Sequence, residues 1–312
     1  MPVLVIENTE YFRIEKPTIV TIGTFDGVHL GHQKILQRLS EIKAETGFQT
    51  LVLTFEPHPR KVLFPDQRDL RLLTLVDEKL DLLRSFGVDV AVVYPFSRQF
   101  SELASDVYIR EILCSQLKTR KLVIGYDHRF GKGRTGDIRV LRQAARENGF
   151  EVEEISARDI DSIAISSTKI RKALEEGKLD LAAEFLGHPY FLNAQVIQGK
   201  QLGRSIGYPT ANLKTAEEKL IPRNGVYFVK LEVEGQWHFG MLNIGTNPTT
   251  DRDDSVKIEV HLFDFDRTIY FRSVRLQFIR RLRDEKNFKG LEELTAALDE
   301  DKKNCLLLMN VR

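Results

Sequence analysis

The first half of the chain repeats one pattern, a short apolar and β-branched run followed by a stretch with helical spacing of apolar residues. The runs are Thr18–Ile22, Thr50–Phe55, Asp89–Tyr94, Leu122–Gly125 and Glu151–Ile155. Between them, Ile35, Leu36, Leu39 and Ile42 recur at helical intervals, as do Leu80 and Leu83, then Val107, Ile112 and Leu113, then Leu141, Ala144 and Ala145. Strands that are apolar on both sides need cover on both faces of their sheet, and amphipathic helices between successive strands supply it. The pattern predicts a doubly wound parallel α/β sheet, which binds ligands beyond the carboxyl ends of its strands. Two more helices are expected at Ser167–Glu175 and Leu179–Leu186, with Gly177 and Gly187 as C-terminal caps.

The stretch "GHPYF" breaks this pattern and places a domain boundary near residue 187, giving domains 1–187 and 188–312. The second holds alternating runs at Asn193–Gln198, Val226–Val233, His238–Ile244, Lys257–Phe263 and Ile269–Phe278, separated by turn residues. Antiparallel strands at this spacing predict a small barrel or sandwich. An amphipathic helix over roughly Leu291–Met309 is expected to cover one open side.

A net charge of +1 provides no long-range field for nucleic acid or membrane surfaces. The two cysteines, Cys114 and Cys305, form neither a disulfide framework nor a CxxC pair. No basic leader opens the sequence, and no apolar run nears the roughly 18 residues of a membrane span. These features predict a cytoplasmic protein whose partners are small molecules.

"GTFDGVHLGHQ" (23–33) follows the first strand and allows three readings: a zinc site, a capped loop, or a phosphate cradle. HxxH alone lacks the further ligands that zinc needs. A phosphate cradle needs glycines for close backbone approach, a helix start with free N–H groups, and imidazole donors. Three other strand ends also carry suitable groups. "FEPHP" (55–59) holds a histidine between prolines, "GYDHRFGKGRTGD" (125–137) is glycine-rich and basic, and "ISSTKIR" (165–171) sets hydroxyls, a lysine and an arginine at a helix start.

GxFDGVHxGH, TFEPHP and SSTxIR in this order resemble the adenylyltransferase module of bacterial bifunctional riboflavin kinase/FAD synthetases. By that resemblance His29 and His32 stabilise charge on the ATP phosphates as pyrophosphate leaves. It also implies ATP contacts at Gly23, Phe25, Asp26, Gly31, Asp127, Ser166, Ser167, Thr168 and Arg171, and FMN-side contacts at Phe55 and His58. The FMN phosphate would attack the α-phosphorus directly, a reaction that needs positioning and charge stabilisation more than a nucleophilic side chain. Asp127 stands where members of the family often carry asparagine.

"GKQLGRSIGYPTANL" (199–213) is a glycine-rich loop without the GK[ST] of a Walker motif. Thr210 and Asn212 are neutral oxygen donors two apart, which an extended chain places on one face, as suits Mg²⁺. "VKIEVHLFDFD" (256–266) alternates apolar residues with Lys257, Glu259 and His261. With "NIGTNPT" (243–249), these stretches resemble the riboflavin kinase module of the same family. The resemblance makes Glu259 the base for the riboflavin 5′-hydroxyl, and Thr210 and Asn212 the Mg²⁺ ligands. It implies ATP contacts at Gly199, Gly203, Arg204, Gly207, Pro209 and Asn247, and flavin contacts at Arg280, Arg283 and Phe288. The last three lie in "FIRRLRDEKNF" (278–288), which also reads as a solvated helix start.

The expected function is therefore bifunctional: phosphorylation of riboflavin to FMN with release of ADP, then adenylylation of FMN to FAD with release of pyrophosphate. Mg²⁺ is expected at both steps, with no nucleic-acid or membrane partner and no assigned oligomeric state. The alternatives are a monofunctional adenylyltransferase and a non-catalytic flavin- or RNA-binding regulator on the same scaffold.

Overall fold

The computed structural model describes residues 12–66, 70–126, 129–134, 136–156, 165–199, 202–246 and 256–310. The chain divides into two compact units between Ser167 and Thr168.

In the first unit β1 (Thr18–Ile22), β2 (Gln49–Glu56), β3 (Val90–Pro95), β4 (Thr119–Gly125) and β5 (Glu151–Ile155) form one sheet in the order β3-β2-β1-β4-β5. All four pairings are parallel. Four longer helices alternate with the strands: α1 (Leu30–Thr46), α2 (Val76–Ser85), α3 (Tyr108–Gln116) and α4 (Ile138–Asn148). The period-two alternation of the strands decides which helices cover which face. Val20, Ile22, Leu51, Leu53, Leu122 and Ile124 meet Ile109, Ile112 and Leu113 of α3 and Leu141 of α4. On the opposite face Ile19 and Val123 meet Ile35, Leu39 and Ile42 of α1, and Val52 and Ala91 meet Leu80 and Leu83 of α2. Full burial stabilises each such Leu or Ile by about 1.5–3 kcal/mol. Helix α3 follows the expected apolar spacing but is wound as a π-type helix. The strand order reverses beside β1, so the carboxyl ends of β1 and β4 flank the crevice where sheets of this kind bind ligands.

The second unit contains α5 (Ser167–Glu175) from Thr168 onward, α6 (Leu179–Leu186), six strands and α7 (Leu291–Asn310). The strands are β6 (Phe191–Ile197), β7 (Ala211–Lys214), β8 (Gly225–Val233), β9 (Gln236–Thr246), β10 (Val256–Leu262) and β11 (Ser273–Arg283). They close into an antiparallel barrel in the order β10-β7-β6-β11-β8-β9, which leaves no unpaired edge. Gly187 caps α6 in the left-handed conformation expected from sequence, at φ 73°. Helix α7 buries Cys305 against Tyr208, Phe228, Met241 and Phe263, with Leu298 and Leu308 packed alongside. Two strands differ from expectation. The short β7 forms within the segment read as loop, where its ladder partners are β6 and β10. The last strand runs on to Arg283, so "FIRRLR" is strand and not the start of a helix.

Candidate active sites

The loop between β1 and α1 is held in a strained form. Phe25 and Val28 adopt positive φ of 48° and 40°, and Gly27 sits at 85°. Such conformations cost a non-glycine residue about 1–3 kcal/mol each and persist only where the surroundings over-determine them. Burial of both side chains, Phe25 at 1% exposure and Val28 at 0%, offsets part of that cost. Asp26 supplies the rest: its Oδ1 accepts hydrogen bonds from the backbone N–H groups of Leu73 (2.9 Å) and Thr74 (3.0 Å). Thr74 Oγ1 in turn accepts from Gly27 N–H at 2.9 Å. Asp26 is thus turned inward as a brace.

The braced loop delivers His29 as the residue that opens α1, and His32 one turn into it. Their rings stack with centroids 3.8 Å apart, and His32 also leans on Phe25 at 4.7 Å. Burial, with the neighbouring His29 and Lys79 charges, holds the His32 imidazole well below the usual histidine range. Its Nδ1 is buried with no hydrogen-bond partner among the described residues. An orphaned buried nitrogen, a stacked imidazole and a helix N-terminus at the strand-order reversal together fit a polyanionic group.

The other residues expected here fall in several places. Ser167 Oγ donates to the Asp26 carbonyl at 3.0 Å, tying the loop to the start of α5. Thr168 and Arg171 belong to the second unit, where Arg171 is buried on α5. Ser166 is half-buried beside Ser167, and Gly31 is buried in the first turn of α1. A Cβ on Gly23 would stand 3.2 Å from the Phe25 ring, so that ring closes over the glycine. Phe55, at the end of β2, packs against Phe96 (5.4 Å) and Phe100 (5.7 Å), which follow β3. These two aromatics were missed from sequence, although "PFSRQF" after a strand end was the available signal. His58 is buried and caps a short helical turn, its Nδ1 accepting from Arg60 N–H at 3.1 Å. Asp127 and Asn247 lie outside the described residues.

In the barrel, Glu259 on β10 stands directly opposite Asn212 on β7 and Asn243 on β9. The three form a half-buried cross-strand row. Burial raises the Glu259 carboxyl above the ordinary carboxylate range, with the Lys257 ammonium pulling the other way. Glu259, Asn243, Thr210 and His261 share the wall of a cavity of about 420 Å³, closed on its apolar side by Leu294 and Leu298 of α7. His261 Nδ1 donates to the Pro209 carbonyl at 2.9 Å and fixes the start of the PTAN segment against β10. A second cavity of about 370 Å³ is lined by Arg204, Pro209, Phe265, Arg267 and Tyr270. Thr210 borders both.

Glycine spacing in the loop has steric causes. A Cβ on Gly199 would collide with the Asn212 amide, and one on Gly203 with the Tyr208 carbonyl oxygen. Gly207 adopts φ 82°, a conformation that only glycine takes without strain. The Gly203 collision is with backbone, so no rotamer relieves it. Gly203→Ala is expected to displace Thr210 and cut the phosphoryl transfer expected of the barrel by about tenfold or more while the adenylyl transfer expected of the α/β unit persists. Initial rates of the two reactions check this.

Of the basic segment, Arg283 and Phe288 line the larger cavity. Arg280 does not, and lies 3.6 Å from Asp180 of α6. Register shifts after Phe278 and Arg281 break the strand alternation, so sequence spacing could not give the facing of these arginines. Arg283 makes a bidentate pair with the buried Asp301 of α7, at 2.9 and 2.7 Å. Tyr208 OH donates to Asp299 of the same helix. Removing one partner of a buried pair strands the other charge. Asp301→Ala should therefore cost about 3 kcal/mol in chemical denaturation and raise the KM for the substrate that fills this cavity, because α7 carries the apolar wall.

Among the described residues no group of three or more His, Cys, Asp or Glu side chains is placed to hold a metal. The oxygen donors nearby are instead the Thr210 hydroxyl, which borders both cavities, and the Asn212 amide, on the strand position opposite Glu259. Such a set fits an ion that takes most of its ligands from phosphate and water.

Fold and sites together define a two-part ATP-dependent transferase, a nucleotidyltransferase-like α/β unit followed by a barrel with a half-buried carboxylate at its cavity wall. The comparisons agree. The FAD synthetase family model matches residues 12–169 and the riboflavin kinase model residues 186–309. The bifunctional riboflavin kinase/FMN adenylyltransferase of Listeria monocytogenes is 39% identical, covering 96% of this chain and 94% of its own. That of Bacillus subtilis is 35% identical (93% and 92%), and that of Escherichia coli K12 is 37% identical (91% and 90%). The chain belongs to the bifunctional riboflavin kinase/FMN adenylyltransferase family. A solved structure described as a macrolide-efflux protein from Streptococcus pneumoniae has a TM-score of 0.88 and 28% identity, covering 96% of this chain and 97% of that one. That description names transport, whereas among the described residues here no helix is long and apolar enough to cross a membrane.

Proposed function

We propose that this chain makes FMN and then FAD. The barrel transfers the γ-phosphate of ATP to the 5′-hydroxyl of riboflavin. The α/β unit transfers AMP from a second ATP to the FMN phosphate and releases pyrophosphate. The module boundary is drawn at residue 187, near the start of the riboflavin kinase match at residue 186.

The observation that supports the reading is the Asn212–Glu259–Asn243 cross-strand row, of which Glu259 and Asn243 line the larger cavity while Thr210 borders both cavities. Riboflavin enters the larger cavity, its ring system against the apolar face of α7 and Phe288, its ribityl chain reaching toward Glu259. ATP occupies the smaller one, with Arg204 toward the phosphates and the γ-phosphorus near Thr210. Glu259 accepts the hydroxyl proton as oxygen attacks phosphorus. Thr210 and Asn212 would hold Mg²⁺, which supplies charge neutralisation to the phosphates when bound.

In the α/β unit, His29 and His32 stabilise negative charge on the ATP phosphates as the α-phosphorus bond to pyrophosphate breaks. Ser166 and Ser167, at the end of the same unit, serve the same phosphates. Asp26 acts through the loop that it braces, and Phe55 with Phe96 and Phe100 offers an aromatic bed for the flavin. A cytoplasmic setting accompanies this reading and suits the two free cysteines, Cys114 and Cys305. Incubation of the protein with riboflavin, ATP and Mg²⁺ is expected to yield FMN first and FAD second by chromatography. FAD that never forms from added FMN, or FMN that never forms from riboflavin, would remove one half of the proposal.

A further inference from the structure

Helix α2 carries a lysine that does not behave as a solvated helix residue. Lys79 is 4% exposed, and its Nζ donates a 3.2 Å hydrogen bond to Thr54 Oγ1 on β2. That hydroxyl donates onward to the Thr24 carbonyl at 3.1 Å, inside the loop that leads to His29. Among the described residues no carboxylate forms an ion pair with Lys79, so the ammonium rests on a neutral partner. Buried charges without a close counter-ion are costly and uncommon. The Asp26 carboxylate, whose charge acts on Lys79, accepts from the Leu73 and Thr74 backbone. Asp26 in the loop and Glu56 on β2 act on Lys79 only through space, and so does Lys79 on His32.

Two consequences follow from this placement. The Lys79–Thr54–Thr24 relay is a second tether, beside the Asp26 brace, on a loop with two non-glycine residues at positive φ. The buried charge also acts on His32 through space, while the Asp26 and Glu56 charges act on it without an ion pair, so a polyphosphate at the histidine site adds to its compensation.

We propose that Lys79 is a positioning residue for adenylyl transfer, fixing the histidine-bearing loop through Thr54 and Thr24 and biasing the site toward polyphosphate by its buried charge. This rests on the reading of the α/β unit as the ATP site for adenylyl transfer. Burial lowers the Lys79 pKa while the Asp26 and Glu56 charges raise it, and burial, His29 and Lys79 together lower that of His32. The charged and titratable groups concerned are His29 at the start of α1, Lys79 on α2, Asp26 in the loop after β1 and Glu56 on β2. Removing the Lys79 charge should let His32 take up a proton at higher pH.

Lys79→Met in the full chain, an uncharged side chain of similar length, tests this by three measurements. The KM for ATP in FAD formation from FMN should rise about tenfold, with a smaller change in kcat. The midpoint of the His32 imidazole titration, followed by NMR, should move to higher pH. The melting temperature should stay at or above that of the unaltered protein, because a desolvated charge has gone. Lys79→Arg keeps the charge and should leave the His32 midpoint in place. An unmoved KM and midpoint in Lys79→Met would overturn the proposal. So would a lowered melting temperature with an unmoved midpoint, which marks a mere structural brace, or a midpoint shift in Lys79→Arg equal to that in Lys79→Met. If the unaltered protein forms no FAD from FMN, the adenylyl-transfer reading fails, while the His32 midpoint still decides the role of Lys79.

Discussion

Glu259→Gln is expected to reduce riboflavin phosphorylation by about 10²–10⁴-fold, the usual contribution of a positioned general base. Conversion of FMN to FAD should survive. The substitution preserves shape, and the amide still fits between Asn212 and Asn243 on the neighbouring strands. An amide cannot take up the hydroxyl proton. Burial already raises the Glu259 carboxyl, which makes its ionised form a better proton acceptor than an exposed glutamate. Initial rates of FMN formation from riboflavin, set beside FAD formation from FMN, separate this loss from general damage.

His29→Ala should produce the reverse pattern. Losing one donor that stabilises transition-state charge typically costs about 10²–10³ in kcat. Here the loss also removes the ring stacked on His32 at 3.8 Å, so both imidazoles are affected by one substitution. FAD formation from FMN should fall by at least that factor, while riboflavin is still phosphorylated. Discontinuous chromatographic assays of each half-reaction check the result.

Much of this molecule was legible before its structure. Four of the five parallel strands announced themselves because their middles are buried on both faces, and all five are separated by helical apolar stripes; the edge strand β5 is only half-buried. The closed barrel was legible as alternation and turns. What escaped was set by distant partners. Asn243 joins Glu259 and Asn212 only through the register of three strands that are remote in sequence. The bulges in β11 separate Arg280 from Arg283, and alternation alone cannot place a bulge. His58 proved to be a helix cap, a local hydrogen bond that competes with any ligand for Nδ1. Lys79 sits in "LVDEKLDLL", where one lysine among acids reads as a solvated helix face. Only the loop folded over it reveals its burial.

The central claim is that two independent sites in one chain carry out consecutive reactions. Mixing Glu259→Gln with His29→Ala and supplying riboflavin, ATP and Mg²⁺ tests it most directly. Neither variant alone should make FAD from riboflavin, while the mixture should, because FMN released by the second variant is adenylylated by the first. Absence of FAD from the mixture, or loss of both activities in either folded variant, would contradict the account.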